Sequence, residues 1–166
     1  MAKISDNTEN LKIEYDTYIT LRENNISGIV HYYCYFECND NIRSEKEYLC
    51  NGEGDDLRIL VMDYIKNKSF GMHNWKDKEK VKSCIKQVIY TCLEGFILCG
   101  FIHGDLNCNN ILIKNTNQPD IDFLHGKVKL NGYKTLLMDF EFSKINGNVK
   151  DFYKGFKFEF SSSLLN

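Results

Sequence analysis

His103-Gly104-Asp105-Leu106-Asn107-Cys108-Asn109-Asn110-Ile111-Leu112-Ile113 sets an Asp and an Asn five residues apart and then runs directly into three apolar residues. A polar loop delivering a buried strand is the plain reading of that change in character. Upstream, Val81, Cys84, Ile85, Val88, Ile89, Cys92, Leu93, Phe96 and Ile97 recur at steps of three and four. That period predicts one apolar face of a helix from about Asp77 to Cys99, with Gly100 placed to stop it. Downstream, Lys134-Thr135-Leu136-Leu137-Met138 reads as a short buried strand that ends in Asp139-Phe140-Glu141. A second Asp-Phe, in Asp122-Phe123-Leu124, lies nearer the loop but follows a run rich in Asn, Gln, Pro and Asp rather than an apolar strand. Asn131-Gly132, between Val128-Lys129-Leu130 and Leu136-Leu137-Met138, suggests a turn joining two strands. Asp139 is therefore preferred over Asp122, with an insertion from about Lys114 to Tyr133.

Helix, loop, strand, second strand and Asp-Phe is the order of elements in the C-lobe of protein kinases, and this stretch resembles their catalytic loop and magnesium-binding segment. The resemblance implies that Asp105 accepts the proton of an acceptor hydroxyl. It also implies that Asn110 and Asp139 hold magnesium on the phosphates of ATP, and that His103 braces the loop backbone. Toward the amino terminus, Arg58-Ile59-Leu60-Val61-Met62-Asp63-Tyr64-Ile65 looks like the last N-lobe strand and the hinge. Backbone groups of Asp63 and Ile65 would then face an adenine edge, with Met62 behind it. Ile29 to Phe36 is aromatic and β-branched enough to form another strand. Glu14 to Leu21 resembles the regulatory helix of the casein-kinase-like group, with Glu14 as its ion-pairing glutamate. Lys3, in Met1-Ala2-Lys3-Ile4-Ser5, is similar to the strand lysine that reaches the α- and β-phosphates. The implied fold class is α+β, a partial bilobal kinase-like fold with an N-lobe and hinge over 1–65 and a partial C-lobe over 66–166.

The departures from the family pattern are as specific as the matches. No Gly-x-Gly-x-x-Gly occurs, and Lys3 leaves no residues before it for a phosphate-covering hairpin. Asn51-Gly52-Glu53-Gly54-Asp55-Asp56 carries three acids that would repel phosphates, so it is expected to be a solvated loop. Nothing resembles the Ala-Pro-Glu signature, and the later C-lobe helices have no sequence to come from. Gly104 stands where an Arg is usual, so a pocket for a phosphorylated activation loop is not expected. Asn107 stands where protein Ser/Thr kinases place a Lys, and Glu141 replaces the Gly of Asp-Phe-Gly. His-Gly-Asp-Leu with Asp-Phe-Glu is similar to atypical kinases and to the aminoglycoside and choline phosphotransferases.

Composition limits the alternatives. With 43% hydrophobic and 13% aromatic residues the chain has the material for a folded core. A net charge of -2 leaves no electrostatic footprint for nucleic acid or an anionic membrane. The first twenty residues are too polar for a signal peptide and no run is long enough to span a bilayer, so an intracellular, cytoplasmic protein is expected. Seven cysteines without paired Cys-x-x-Cys spacing read as reduced thiols, and Cys34 with Cys38 lacks a second pair to complete a zinc site. Eighteen lysines against three arginines, with eighteen asparagines, look like an AT-rich coding bias similar to that of kinase-like proteins of large DNA viruses.

Three functions compete. The first is ATP- and magnesium-dependent phosphoryl transfer to Ser/Thr of proteins, with Asp105 as base, Asn110 and Asp139 on magnesium, and Lys3 and Glu14 positioning phosphates. The second is a pseudokinase interaction module, and the third a small-molecule phosphotransferase of the choline or aminoglycoside type. Because later helices are missing, the stripe from Val81 to Ile97 is expected to stay open and sticky. It would pair with a partner chain or be covered by Phe152, Tyr153, Phe156, Phe158 and Phe160, and the chain is expected to be a fragment or degenerate copy.

Overall fold

A computed structural model describes residues 1–5, 8–38, 58–66 and 69–155. The acidic stretch Asn51 to Asp56, and Phe156, Phe158 and Phe160, lie outside the described residues. The first half forms a three-stranded antiparallel sheet in the order β1 (Ala2–Ser5), β3 (Arg58–Met62), β2 (Tyr32–Glu37), with helix α1 (Thr8–Glu23) packed on it. Its central strand is the apolar run read as the last N-lobe strand, and Ile59, Leu60 and Met62 are buried. The class is α+β, as expected.

Helix α2 (Lys78–Cys99) begins and ends where the sequence places it. Asp77 caps it by accepting from the Glu79 N–H at 2.9 Å, and Gly100 closes it in the left-handed region at φ 66. Any side chain at Gly100 would meet the backbone of Asn146 and Gly147 within 3 Å. Beyond the loop, β4 (Ile111–Asn115) pairs antiparallel with β7 (Tyr133–Leu137), Ile111 opposite Leu137 and Asn115 opposite Tyr133. Between them lies the expected insertion, folded as a hairpin of β5 (Asp120–Phe123) and β6 (Gly126–Lys129). Asn131-Gly132 does form a tight turn, both residues at positive φ, but β6 and β7 on either side of it belong to different sheets.

The buried face of α2 is not the apolar stripe alone. Cys84, Val88 and Cys92 enter the main core, yet Ser83, Gln87, Thr91 and Glu94 are buried beside them while Ile89 and Ile97 are 40% and 49% exposed. The insertion and β7 account for Ser83, Gln87 and Glu94, because they present backbone groups that apolar side chains cannot satisfy, whereas the Thr91 hydroxyl is buried without a partner. Ser83 Oγ donates to the Lys129 carbonyl, Gln87 donates to the Tyr133 carbonyl and accepts from the Thr135 N–H, and Glu94 accepts from the Leu124 N–H. The open face is thus narrower than expected. Helix α3 (Val149–Gly155) seats Phe152 on Phe96 with ring centroids 4.4 Å apart, whereas Tyr153 is 76% exposed and covers nothing.

The expectation of reduced thiols holds for Cys34, Cys84, Cys92, Cys99 and Cys108 but not for Cys38, which is disulfide-bonded. Spacing could not reveal this, since a disulfide depends on spatial approach. Among the described residues no helix is long and apolar enough to cross a membrane.

One buried cluster draws on both halves of the chain, from Leu11, Tyr18, Leu21 and Tyr32 to Leu106, Ile113, Leu137 and Phe140. The chain at Gly28 to Val30 stitches them together. Val30 N–H donates to Leu137 O at 2.9 Å, and Leu137 N–H donates to Gly28 O at 2.8 Å. Gly28 is at φ 78 and would place a Cβ 2.3 Å from Thr91 Oγ1, so this close approach to α2 requires glycine.

Candidate active site

Lys3, Glu14 and Asp139 come from β1, α1 and the end of β7, and the fold brings them to one point. The Lys3 ammonium donates to Glu14 Oε2 at 2.9 Å and to Asp139 Oδ1 at 2.6 Å. Glu14 is fully buried, whereas Lys3 keeps 30% of its side-chain surface. Burial alone would lower the pKa of the ammonium, but the hydrogen bonds it donates to Asp139 and Glu14 and their negative charges outweigh it and hold the lysine charged well above its ordinary range. Glu141, in the position expected to be glycine, adds a third carboxylate 3.5 Å from Lys3.

Tyr32 belongs to this site and sequence reasoning missed it. Its hydroxyl donates to Glu14 Oε1 and accepts from the Asp139 N–H at 3.4 Å, so one buried side chain joins the two carboxylate residues. Burial, reinforced by the Glu14 carboxylate, pushes the phenol pKa up and keeps it a donor. Its only trace in the sequence is a place in an aromatic strand, where it resembles its neighbours Tyr33 and Tyr35.

The loop from His103 to Asn110 is organised around the Asp105 carboxylate. Asn110 Nδ2 donates to Asp105 Oδ2 at 3.0 Å and to the Asp105 carbonyl at 2.9 Å. Asn107 Nδ2 donates to the same carboxylate oxygen at 3.0 Å, while its own amide oxygen accepts from the Asn109 N–H. Asn107 therefore supplies orientation where the sequence suggested a missing cation. Leu106, buried at 5% exposure, anchors the loop to the core while Asp105 stays exposed. Asn110 also joins the two strands, its carbonyl accepting from the Met138 N–H at 3.1 Å, which sets it beside Asp139.

Asp139 adopts φ 67, in the left-handed region that costs a non-glycine residue about 1 kcal/mol or more. Its N–H bond to Tyr32 and its ion pair to Lys3 hold it there. The rejected alternative, Asp122, lies on the exposed hairpin 3.5 Å from Lys127. With its amide nitrogen on Asp105, Asn110 keeps an oxygen for a hard cation, and Asp139 keeps its second carboxylate oxygen. Among the described residues no three His, Cys, Asp or Glu side chains form a ready cage. The donor set fits magnesium held jointly by protein oxygens and phosphate rather than a protein-only site.

His103 braces the loop from inside. Its Nε2 bonds the Met138 carbonyl at 3.0 Å, its own carbonyl accepts from Ser143 Oγ at 3.0 Å, and its Nδ1 is buried without a partner. A proton on Nδ1 would have no acceptor, and burial lowers the pKa despite the Met138 bond. Stability from this neutral imidazole is complete above the ordinary histidine value of about 6.5 and is lost as pH falls below it. The unfolded chain takes up the proton first. Melting temperature is expected to drop more between pH 7.5 and 5.5 for the native chain than for His103→Gln; parallel curves would overturn this account.

At the hinge, the Asp63 N–H donates to His31 O at 2.8 Å and its carboxylate accepts from Tyr33 Oη at 2.6 Å. The Asp63 carbonyl and the Ile65 N–H carry no hydrogen bond among the described residues, so an acceptor and a donor remain there for a flat heterocycle.

Comparison with known families finds similarity over residues 56–125 to the RIO domain, an atypical protein-kinase-like family. The matched stretch covers less than half of the chain. It contains Asp63, Ile65, Asp105 and Asn110 and stops before Asp139. No curated protein matches the chain.

Proposed function

We propose that this chain is a kinase-like phosphotransferase that binds Mg-ATP between an N-lobe over 1–65 and a C-lobe over 66–166 and phosphorylates a Ser or Thr hydroxyl of a protein. The observation that carries the reading is the convergence of Glu14 and Asp139 on Lys3, across 11 and 136 residues of sequence. The similarity to the RIO domain, whose members generally bind ATP and magnesium, supports it.

In this reading Glu14, locked by Tyr32, orients the Lys3 ammonium toward the α- and β-phosphates. Asn110 and Asp139 would hold magnesium, which when bound neutralises charge on the phosphates. The Asp63 carbonyl and the Ile65 N–H engage the adenine edge. Asp105, fixed by Asn107 and Asn110, takes the acceptor proton as the hydroxyl oxygen bonds to the γ-phosphorus and the bond to the β,γ-bridging oxygen breaks.

One observation favours a second reading, a nucleotide-binding module without turnover. Lys3 is bonded to Asp139 at 2.6 Å and lies 3.5 Å from Glu141, so three carboxylates compete for the cation that phosphates would need. A thermal-shift titration tests both readings. Mg-ATP is expected to raise the melting temperature of the native chain by about 3–8 °C, from about 2 kcal/mol of linkage. The shift should require magnesium and vanish in Asp139→Ala. A shift without transfer to any Ser/Thr peptide would select the second reading, and no shift would overturn both.

A further inference from the structure

One cavity of about 350 Å³ lies between the hinge and β4, with Asp63 and Ile65 in its lining, and another of about 200 Å³ lies beside the start of α2. Asn115 lines the first and Tyr133 the second, and these two residues are cross-strand partners in the β4–β7 pair. The cavities therefore adjoin across one rung of the ladder. Asn115 is five residues along the strand from Asn110, roughly 16 Å at about 3.3 Å per residue, so this surface is remote from the metal-binding end of the same strand.

Each lining holds two lysines and one aspartate, Lys66 and Lys114 with Asp63 in the first and Lys76 and Lys80 with Asp77 in the second. Lys134 stands directly opposite Lys114 in the sheet. Among the described residues none of these five has an ion-pair partner, although Lys3, Lys12, Lys82 and Lys127 all do. The two acids in the linings accept hydrogen bonds from neutral donors, Asp63 from the Tyr33 hydroxyl and Asp77 from the N–H of Glu79, so they offset part of the lysine charge without pairing directly with it. Facing like charges at Lys114 and Lys134 destabilise a two-stranded ladder. Burial and the Lys114 charge both disfavour the charged form of half-buried Lys134. A chain with net charge -2 thus concentrates unpaired positive charge in one groove at some cost to its own stability.

We infer that this groove is a docking site for an acidic, extended polypeptide segment, whose carboxylates pair with Lys66, Lys114 and Lys134. Single-stranded nucleic acid fits less well, since it stacks successive bases on several free aromatic faces, and the linings offer Tyr64, at 71% exposed, as one. Here Trp75 packs on Phe70 and His73 at 4.8 and 4.4 Å, and Lys80 already lies over Tyr133.

Docking of this kind requires no nucleotide, so it is read first without Mg-ATP; because Asp63 and Ile65 of the first lining also face the adenine edge in the proposed function, displacement of the peptide by Mg-ATP would place it in the nucleotide site and overturn the inference. Fluorescence anisotropy of a short labelled peptide of alternating Glu and Gly measures it on the full chain, with a Gln-Gly peptide and an oligothymidylate as competing probes. The Glu-Gly peptide is expected to bind, more weakly as salt rises. Lys66→Glu with Lys114→Glu should weaken it about tenfold or more, while Lys154→Glu, an exposed lysine on α3, should leave it within about twofold. Lys134→Glu supplies an independent readout, because it should weaken the peptide yet raise the melting temperature by about 1–4 °C through removal of the facing charges. Equal binding of the Gln-Gly peptide, equal loss in Lys154→Glu, tighter binding of the oligonucleotide, or no binding to a cooperatively melting chain would each overturn the inference.

Discussion

Asp105→Asn is expected to lower phosphoryl transfer to a Ser/Thr peptide by about 100–10,000-fold, the range removed with a positioned general base. The substitution isolates chemistry from structure. Asn107 and Asn110 both donate to a single oxygen of the Asp105 side chain, and an amide oxygen can accept the same two bonds. Asp105 is also exposed, so no buried charge is created or lost. Melting temperature should stay within about 2 °C, and the Mg-ATP shift should persist, because Asn110 and Asp139 are untouched. An unchanged transfer rate would remove Asp105 from the chemistry. A lost nucleotide shift would instead make it part of the binding site.

Gly104→Ala is expected to produce the largest loss of stability of any single change in the loop. Gly104 lies at φ 81, where an added Cβ would sit 2.0 Å from the Phe142 carbonyl oxygen. The left-handed conformation alone costs alanine about 1–2 kcal/mol. The clash is with backbone, and relieving it must move the chain that carries Asp139 and the Ile102–Lys144 bridge. A total of about 3–5 kcal/mol is expected, lowering the melting temperature by about 10 °C or more. Gly132→Ala is the matched control. It too has positive φ, at 87, but nothing lies within 4 Å of its added Cβ, so only the conformational cost remains. Equal losses in the two variants would show that the approach of Phe142 does not constrain Gly104.

Read as sequence, Gly104 is a missing arginine. The fold adds that the close approach of Phe142 leaves no room for any side chain there, which is a tertiary fact. Asn107 has a similar history, since it reads as a lost cation and proves to be a second donor to Asp105. In both cases the residue type is visible in the sequence while the reason for it is set by atoms distant along the chain.

What the sequence determined by itself is local. The span of α2, with Asp77 at one end and Gly100 at the other, follows from apolar period, capping chemistry and the left-handed freedom of glycine, all of which act within a few residues. The loop spacing of Asp105 and Asn110 and the strands on either side of the insertion follow from the same short-range signals. The tertiary structure decided what depends on approach between distant segments. Tyr32 joined Glu14 to Asp139 because a buried carboxylate needs donors and the nearest strand supplied one. Ser83, Gln87 and Glu94 were buried because the insertion and β7 brought unsatisfied backbone groups onto α2. Lys114 and Lys134 came face to face only when β4 and β7 paired, since repulsion between them acts through space and leaves no period in the chain.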